Sequence, residues 1–282
     1  MKIVYKKILF WIIALILTAA IAVYQRMTGP THPESFKFQV HDKEYKIRLP
    51  RSQNGTSDAM IRLNIQDAGI GGELYFRRLN TEEPWDTINF HRENQELVAW
   101  LPGQPPAGKL EYGIKLRDKN GEILFQTPEN IIIRFKDVVP GFALLPHVLF
   151  IFTAMLLSNL TGLLAVANLP SYKLYTFLTL LFFLFGGMIM GPVVQKYAFG
   201  EYWTGFPFGK DLTDNKALLA FIFWIIAWLG NRKNKQRRYL VIIAAIINLV
   251  ISLIPHSLMG SELDYASGEI KTGMLIHHIW RL

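Results

Sequence analysis

Residues 8–24, ILFWIIALILTAAIAVY, form an unbroken apolar run directly behind Lys2, Lys6 and Lys7. Four more runs follow, at about 142–168, 174–194, 215–230 and 239–256. A bilayer core about 30 Å thick needs roughly 20 apolar residues to be crossed as a helix. Inside hydrocarbon every backbone N–H and C=O must be paired within the protein, so runs of this kind read as membrane helices. The first is read as an uncleaved anchor. Ala20-Ile21-Ala22 also resembles a small-residue cleavage site, which keeps a signal peptide as the competing reading.

Composition agrees. Only 18% of the 282 residues are charged, against roughly 25% in soluble domains. The absence of cysteine excludes thiolate catalysis, iron–sulfur clusters, Cys-ligated zinc, disulfides and Cys lipidation. The net charge of +8 sits largely beside the apolar runs. Arg232, Lys233, Lys235, Arg237 and Arg238 crowd the connector GNRKNKQRRY, and Lys173 lies in LPSYKLY. Positive charge near helix ends marks the cytoplasmic side. The basic balance therefore reads as membrane orientation, and nucleic acid is not expected as a partner. The N-terminal lysines give the same orientation.

Between 30 and 138 the pattern changes to short alternating stretches, among them FKFQVHDKEYKIRL, AMIRLNIQD, KLEYGIKLRD and NIIIRFK. Clusters of Pro, Gly, Asn and Asp separate them at the spacing of a β-sandwich. Asn120-Gly121 predicts a hairpin, since both residues tolerate positive φ. The expected fold is an α+β membrane protein. Residues 1–28 form a transmembrane anchor and 29–140 an extracytoplasmic sandwich of about seven strands, of the immunoglobulin or fibronectin III-like kind without its cysteine pair. Residues 141–282 form a four-helix transmembrane domain with an extracytoplasmic C-terminal tail.

That topology places loop 195–215 and the tail on the outer face. Polar residues from three parts of the chain meet there: His147 near the start of a helix, then Glu201, Asp211 and Asp214, then His256, Glu262 and Asp264. The spacing predicts that Trp203, Phe206 and Phe208 fold back over the helix ends, lining a pocket around Asp211, His256, Glu262 and His147. Such a donor set without thiolates suits zinc, copper or iron, and haem bound by two histidines is a further option. The plainer assignment makes Asp214 the N-cap of the following helix, Asp211 the partner of Lys210, Lys216 or Arg281, and the aromatics an interfacial belt. His277 and His278 are adjacent, so at most one would face a shared site.

No H-E-x-x-H, G-x-S-x-G, EF-hand or P-loop pattern occurs. Within the runs, Ser158, Asn159 and Thr161 suggest interhelical hydrogen bonds, and Gly186, Gly187 and Gly191 a close helix approach, with Gly187 and Gly191 as a small-xxx-small pair. Two functions stay open. One is a binding or assembly protein anchored in the lipid bilayer, whose sandwich recognises a protein or a glycan. The other is a metal-dependent membrane enzyme or metal- or haem-handling protein using the outer-face cluster.

Overall fold

The computed structural model describes residues 2–40, 43–233, 235–255 and 260–271. They divide into two compact units. Thr31–Val138 and Glu262–Lys271 make a β unit, and the helices make the other.

The helical unit begins with α1, Lys2–Thr28. The β unit follows with β1 Glu34–Val40, β2 Lys43–Leu49, β3 Ser52–Asn54, β4 Ala59–Leu63, β5 Gly71–Arg78 and β6 Asp86–Asn89. It continues with β7 His91–Glu93, β8 Glu96–Leu101, β9 Lys109–Arg117, β10 Ile123–Gln126 and β11 Ile131–Lys136. The remaining helices are α2 Gly141–Val166, α3 Tyr172–Phe183, α4 Gly191–Phe199, α5 Leu212–Gly230 and α6 Arg238–Leu253. A π-helical segment, Leu184–Met190, joins α3 to α4. A last hairpin, β12 Glu262–Leu263 with β13 Ile270–Lys271, returns to the β unit.

Alternation makes the β unit. In β4 every second residue is buried, placing Ala59, Ile61 and Leu63 on one face. A six-stranded sheet runs β3-β11-β9-β5-β6, with β10 also on β9, and a three-stranded sheet runs β4-β8-β7. β1 and β2 form a hairpin. One apolar cluster joins them: Ile47 of β2, Ile61 of β4, Leu74 of β5, Leu97 of β8, Ile114 of β9 and Ile133 of β11 all belong to it. The predicted hairpin at Asn120-Gly121 forms, with β10 antiparallel to β9. Only Gly121 takes positive φ, at 87°. Asp118 orders the turn instead, its carboxylate accepting from the N–H groups of Asn120 (2.9 Å) and Glu122 (2.8 Å).

Among the described residues, four helical stretches are long and apolar enough to cross a membrane: Val4–Thr28, Gly141–Val166, Tyr172–Phe199 and Leu212–Gly230. The expected fifth is shorter. α6 has 16 residues, about 24 Å at the rise of an α-helix, a length that crosses a bilayer core where the bilayer thins around it.

The predicted polar cluster in the second run does hydrogen-bond between helices. Asn248 donates to Ser158 at 2.9 Å, Asn159 to Thr18 at 3.0 Å, and the hydroxyls of Thr161 and Thr179 lie 3.2 Å apart. Of the three glycines expected to allow close helix approach, Gly186 makes the contact. A Cβ on Gly186 would come 2.8 Å from the backbone nitrogen of Ile151, whereas Gly187 and Gly191 meet only ordinary contacts. Gly186 therefore lets the π segment lie directly against α2.

Candidate functional site

The residues singled out from the sequence separate into three local arrangements. The first surrounds the start of α5. Asp211, not Asp214, is its N-cap: the Asp211 carboxylate accepts from the N–H of Thr213 at 2.7 Å and of Asp214 at 3.3 Å. The free N–H groups of a helix start lie two and three residues beyond the cap, which favours the residue just outside the helix. Asp214 turns back into the loop. Its Oδ2 accepts from the Thr204 N–H at 2.7 Å and lies 3.3 Å from the Thr204 hydroxyl, while Gln195 donates to that hydroxyl. Lys216 donates to the carbonyls of Ile254 (2.7 Å) and Pro255 (3.4 Å), where α6 has ended. These groups hold the loop and the helix ends by hydrogen bonds to backbone.

The aromatic lid does not form. Phe206 is 69% exposed and Phe208 83%. The Trp203 indole donates to the Phe206 carbonyl at 3.0 Å, and Asn215 accepts from the Phe206 N–H at 2.7 Å. Internal hydrogen bonds thus satisfy the turn with its phenyl groups pointing outward.

The second arrangement is His147 against the π segment. Its Nδ1 lies 2.9 Å from the Gly186 carbonyl. A carbonyl only accepts, so Nδ1 carries the hydrogen. The same carbonyl accepts from the Gly191 N–H in the wide π turn. His147 therefore fastens α2 to the π-helical stretch of backbone.

The third arrangement lies in the β unit and holds Glu262 and Asp264. Glu262 accepts from Lys109 Nζ at 2.6 Å and from the Asn80 amide at 2.6 Å. The Lys109 and Glu262 side chains are only 1% and 5% exposed. Burial, reinforced by nearby Arg134, lowers the Lys109 pKa to about 8, with Glu262 opposing the shift. The Tyr265 hydroxyl accepts from the Lys109 N–H at 3.0 Å and reaches Gln104 Oε1 at 3.0 Å. Burial pushes its pKa up to about 12. Asp264 pairs with Lys271, which holds its carboxyl down at about 2.

Asp211 and Glu262 therefore belong to different units, and His256, His277 and His278 lie outside the described residues. Among the described residues, no group of three or more His, Asp or Glu side chains is placed to hold a metal ion.

One surface cluster escaped the sequence reading. Leu74 and Phe76 of β5 face the core, so alternation puts Glu73, Tyr75 and Arg77 on the opposite face of the six-stranded sheet. Arg77 pairs with Glu111, and its guanidinium lies 4.6 Å over the ring of Trp85. Tyr75 meets Trp85 edge-on at 5.4 Å. Trp85 remains 39% exposed. Its one signal in the sequence is a tryptophan in the acidic, proline-containing stretch NTEEPWDT, where no buried strand is expected. No protein-family model matches the chain, and no curated protein is significantly similar to it.

Proposed function

We propose that the chain is a membrane-anchored binding protein whose β unit recognises a protein or a glycan outside the cytoplasm. The observation that carries the proposal is the Tyr75–Arg77–Trp85 cluster. A half-exposed tryptophan, held by a cation above and an aromatic edge beside it, offers a rigid apolar surface at low entropic cost. We read the unit as an immunoglobulin- or fibronectin III-like sandwich. Supporting this, its sheets share one core, and β3 pairs in parallel with β11 at the edge of the larger sheet. The basic connectors support a cytoplasmic N-terminus, with the β unit and the C-terminus outside.

Two experiments test this. Full-length protein is screened on a glycan array and by crosslinking in intact cells, beside Trp85→Ala. The variant should lose roughly 30-fold or more in affinity, the size of an aromatic hot spot, with an unchanged melting temperature. Equal binding by both proteins would refute the recognition surface. For orientation, Lys235→Cys should be shielded from an impermeant thiol reagent in intact cells while Ser57→Cys reacts. The opposite pattern would invert the topology.

A further inference from the structure

The contacts within the helical unit bring three chain segments to one end of it. Trp11 of α1 meets Tyr175 of α3 edge-on at 5.9 Å, which puts the first turns of α1 beside the start of α3. The Tyr172 hydroxyl donates to Asn231 Oδ1 at 3.0 Å, joining the start of α3 to the α5–α6 connector. Asn231 then donates to the carbonyls of Ala227 (2.9 Å) and Arg237 (3.1 Å), so the connector is tied across its own base. Lys6, Lys7, Lys173 and the basic residues of 232–238 consequently share this end. Apart from the half-buried Lys173, these side chains are exposed. Residues 1–29, 166–176 and 228–240 contain no Asp or Glu. Neither α3 nor α6, both of which begin here, has an acidic residue in its first turn or a side-chain cap. The opposite end differs: Asp211 caps α5 and Asp214 lies in its first turn.

We propose that this end binds the headgroups of anionic phospholipids. Spanning helices place their ends at the depth of the headgroups, and clustered Lys and Arg there are attracted to negatively charged lipid. The Tyr172–Asn231 bond and the bonds of Asn231 hold the α3 start and the connector together, so their cations form a preset surface. The Arg232 guanidinium lies 4.7 Å over the Trp228 ring, keeping one charge at the helix end where a phosphate would sit.

The test uses full-length protein in neutral detergent micelles doped with phosphatidylglycerol or phosphatidylcholine, with retained lipid read by native mass spectrometry. Phosphatidylglycerol should be retained over phosphatidylcholine by roughly tenfold, and the preference should shrink as salt is raised. Combined Lys233→Gln, Lys235→Gln, Arg237→Gln and Arg238→Gln should abolish it, while Lys196→Gln at the opposite end leaves it intact. Should the combined variant fail to fold, Lys235→Gln and Arg238→Gln singly should each weaken the preference. Equal retention of the two lipids, or a preference the variants do not reduce, would overturn the proposal. So would an equal rise in melting temperature with inorganic phosphate in place of lipid, since that would describe a general anion site.

Discussion

The β unit and the helical unit both bury polar groups, but of different kinds. The β unit buries full charges. Lys109, Glu111, Arg134 and Glu262 are all more than nine-tenths buried, and Lys109 and Glu262 answer each other across 153 positions of sequence. Within its spans the helical unit pairs neutral groups: Ser158 with Asn248, Asn159 with Thr18, and Thr161 with Thr179. Its buried charges, Asp211, Asp214 and Lys216, lie in or beside the first turns of one helix and bond to backbone N–H and C=O groups. The difference follows from the surroundings. At a sheet surface a charge meets water at its edges and finds partners on neighbouring strands. In a helix facing hydrocarbon, a side chain is limited to one or two neighbours, and a full charge there would stay underpaired.

The largest effect should come from the charged pair. Glu262→Ala leaves Lys109 buried without its counter-ion, at a cost of about 3–5 kcal/mol to the β unit, read as lost hydrogen-exchange protection across β9. Replacing both partners by Leu and Met should restore most of it. A loss below about 1 kcal/mol in the single variant would show that the pair is not desolvated as described. The pair also predicts a pH limb. The native Lys109 pKa of about 8 lies below its ordinary 10.5, so the unfolded β unit holds more protons between those values, and the stability of the β unit, read by exchange across β9, should rise from pH 8 towards 10. Tyr265, raised to about 12, acts in the opposite sense only above pH 10. Lys109→Met should remove the limb, and a flat profile in the wild type would contradict it.

In the helical unit the effects should be smaller. Gly186→Ala would force the π segment off α2 and cost about 1–3 kcal/mol, measured as a lower melting temperature in detergent. An unchanged melting temperature would mean that the two backbones do not touch. Asp211→Ala removes a cap and should cost about 1 kcal/mol, whereas Asp211→Asn should cost much less, since asparagine also caps. If Asp211→Asn instead abolished binding of a divalent metal, the cap would not be the whole role of this residue. The smallest effect belongs to Asn248→Ala, about 0.6 kcal/mol, the usual worth of one interhelical hydrogen bond in a membrane. A loss as large as that of Glu262→Ala would erase the contrast between the units.

What the sequence determined by itself is what acts over short distances along the chain. Apolar runs and alternation gave the membrane helices and the strands, because the first depends on length against bilayer thickness and the second on a two-residue period. Glycine and asparagine marked the β9–β10 turn, although Asp118 orders it, and a carboxylate near α5 was expected to cap it, although the cap stands three residues earlier. Only the tertiary structure decided which distant groups meet. Glu262 and Asp264 follow the last helix in sequence and so read as part of an outer membrane face, yet they fold against strands begun some 150 residues earlier. Glu262 reaches a buried cation there that no local pattern announces. Trp85 likewise became a surface feature only when β5 brought Arg77 and Tyr75 beside it. Spacing along a chain fixes which face of a helix or strand a residue occupies, but the partner across that face is chosen by packing, which depends on the whole fold.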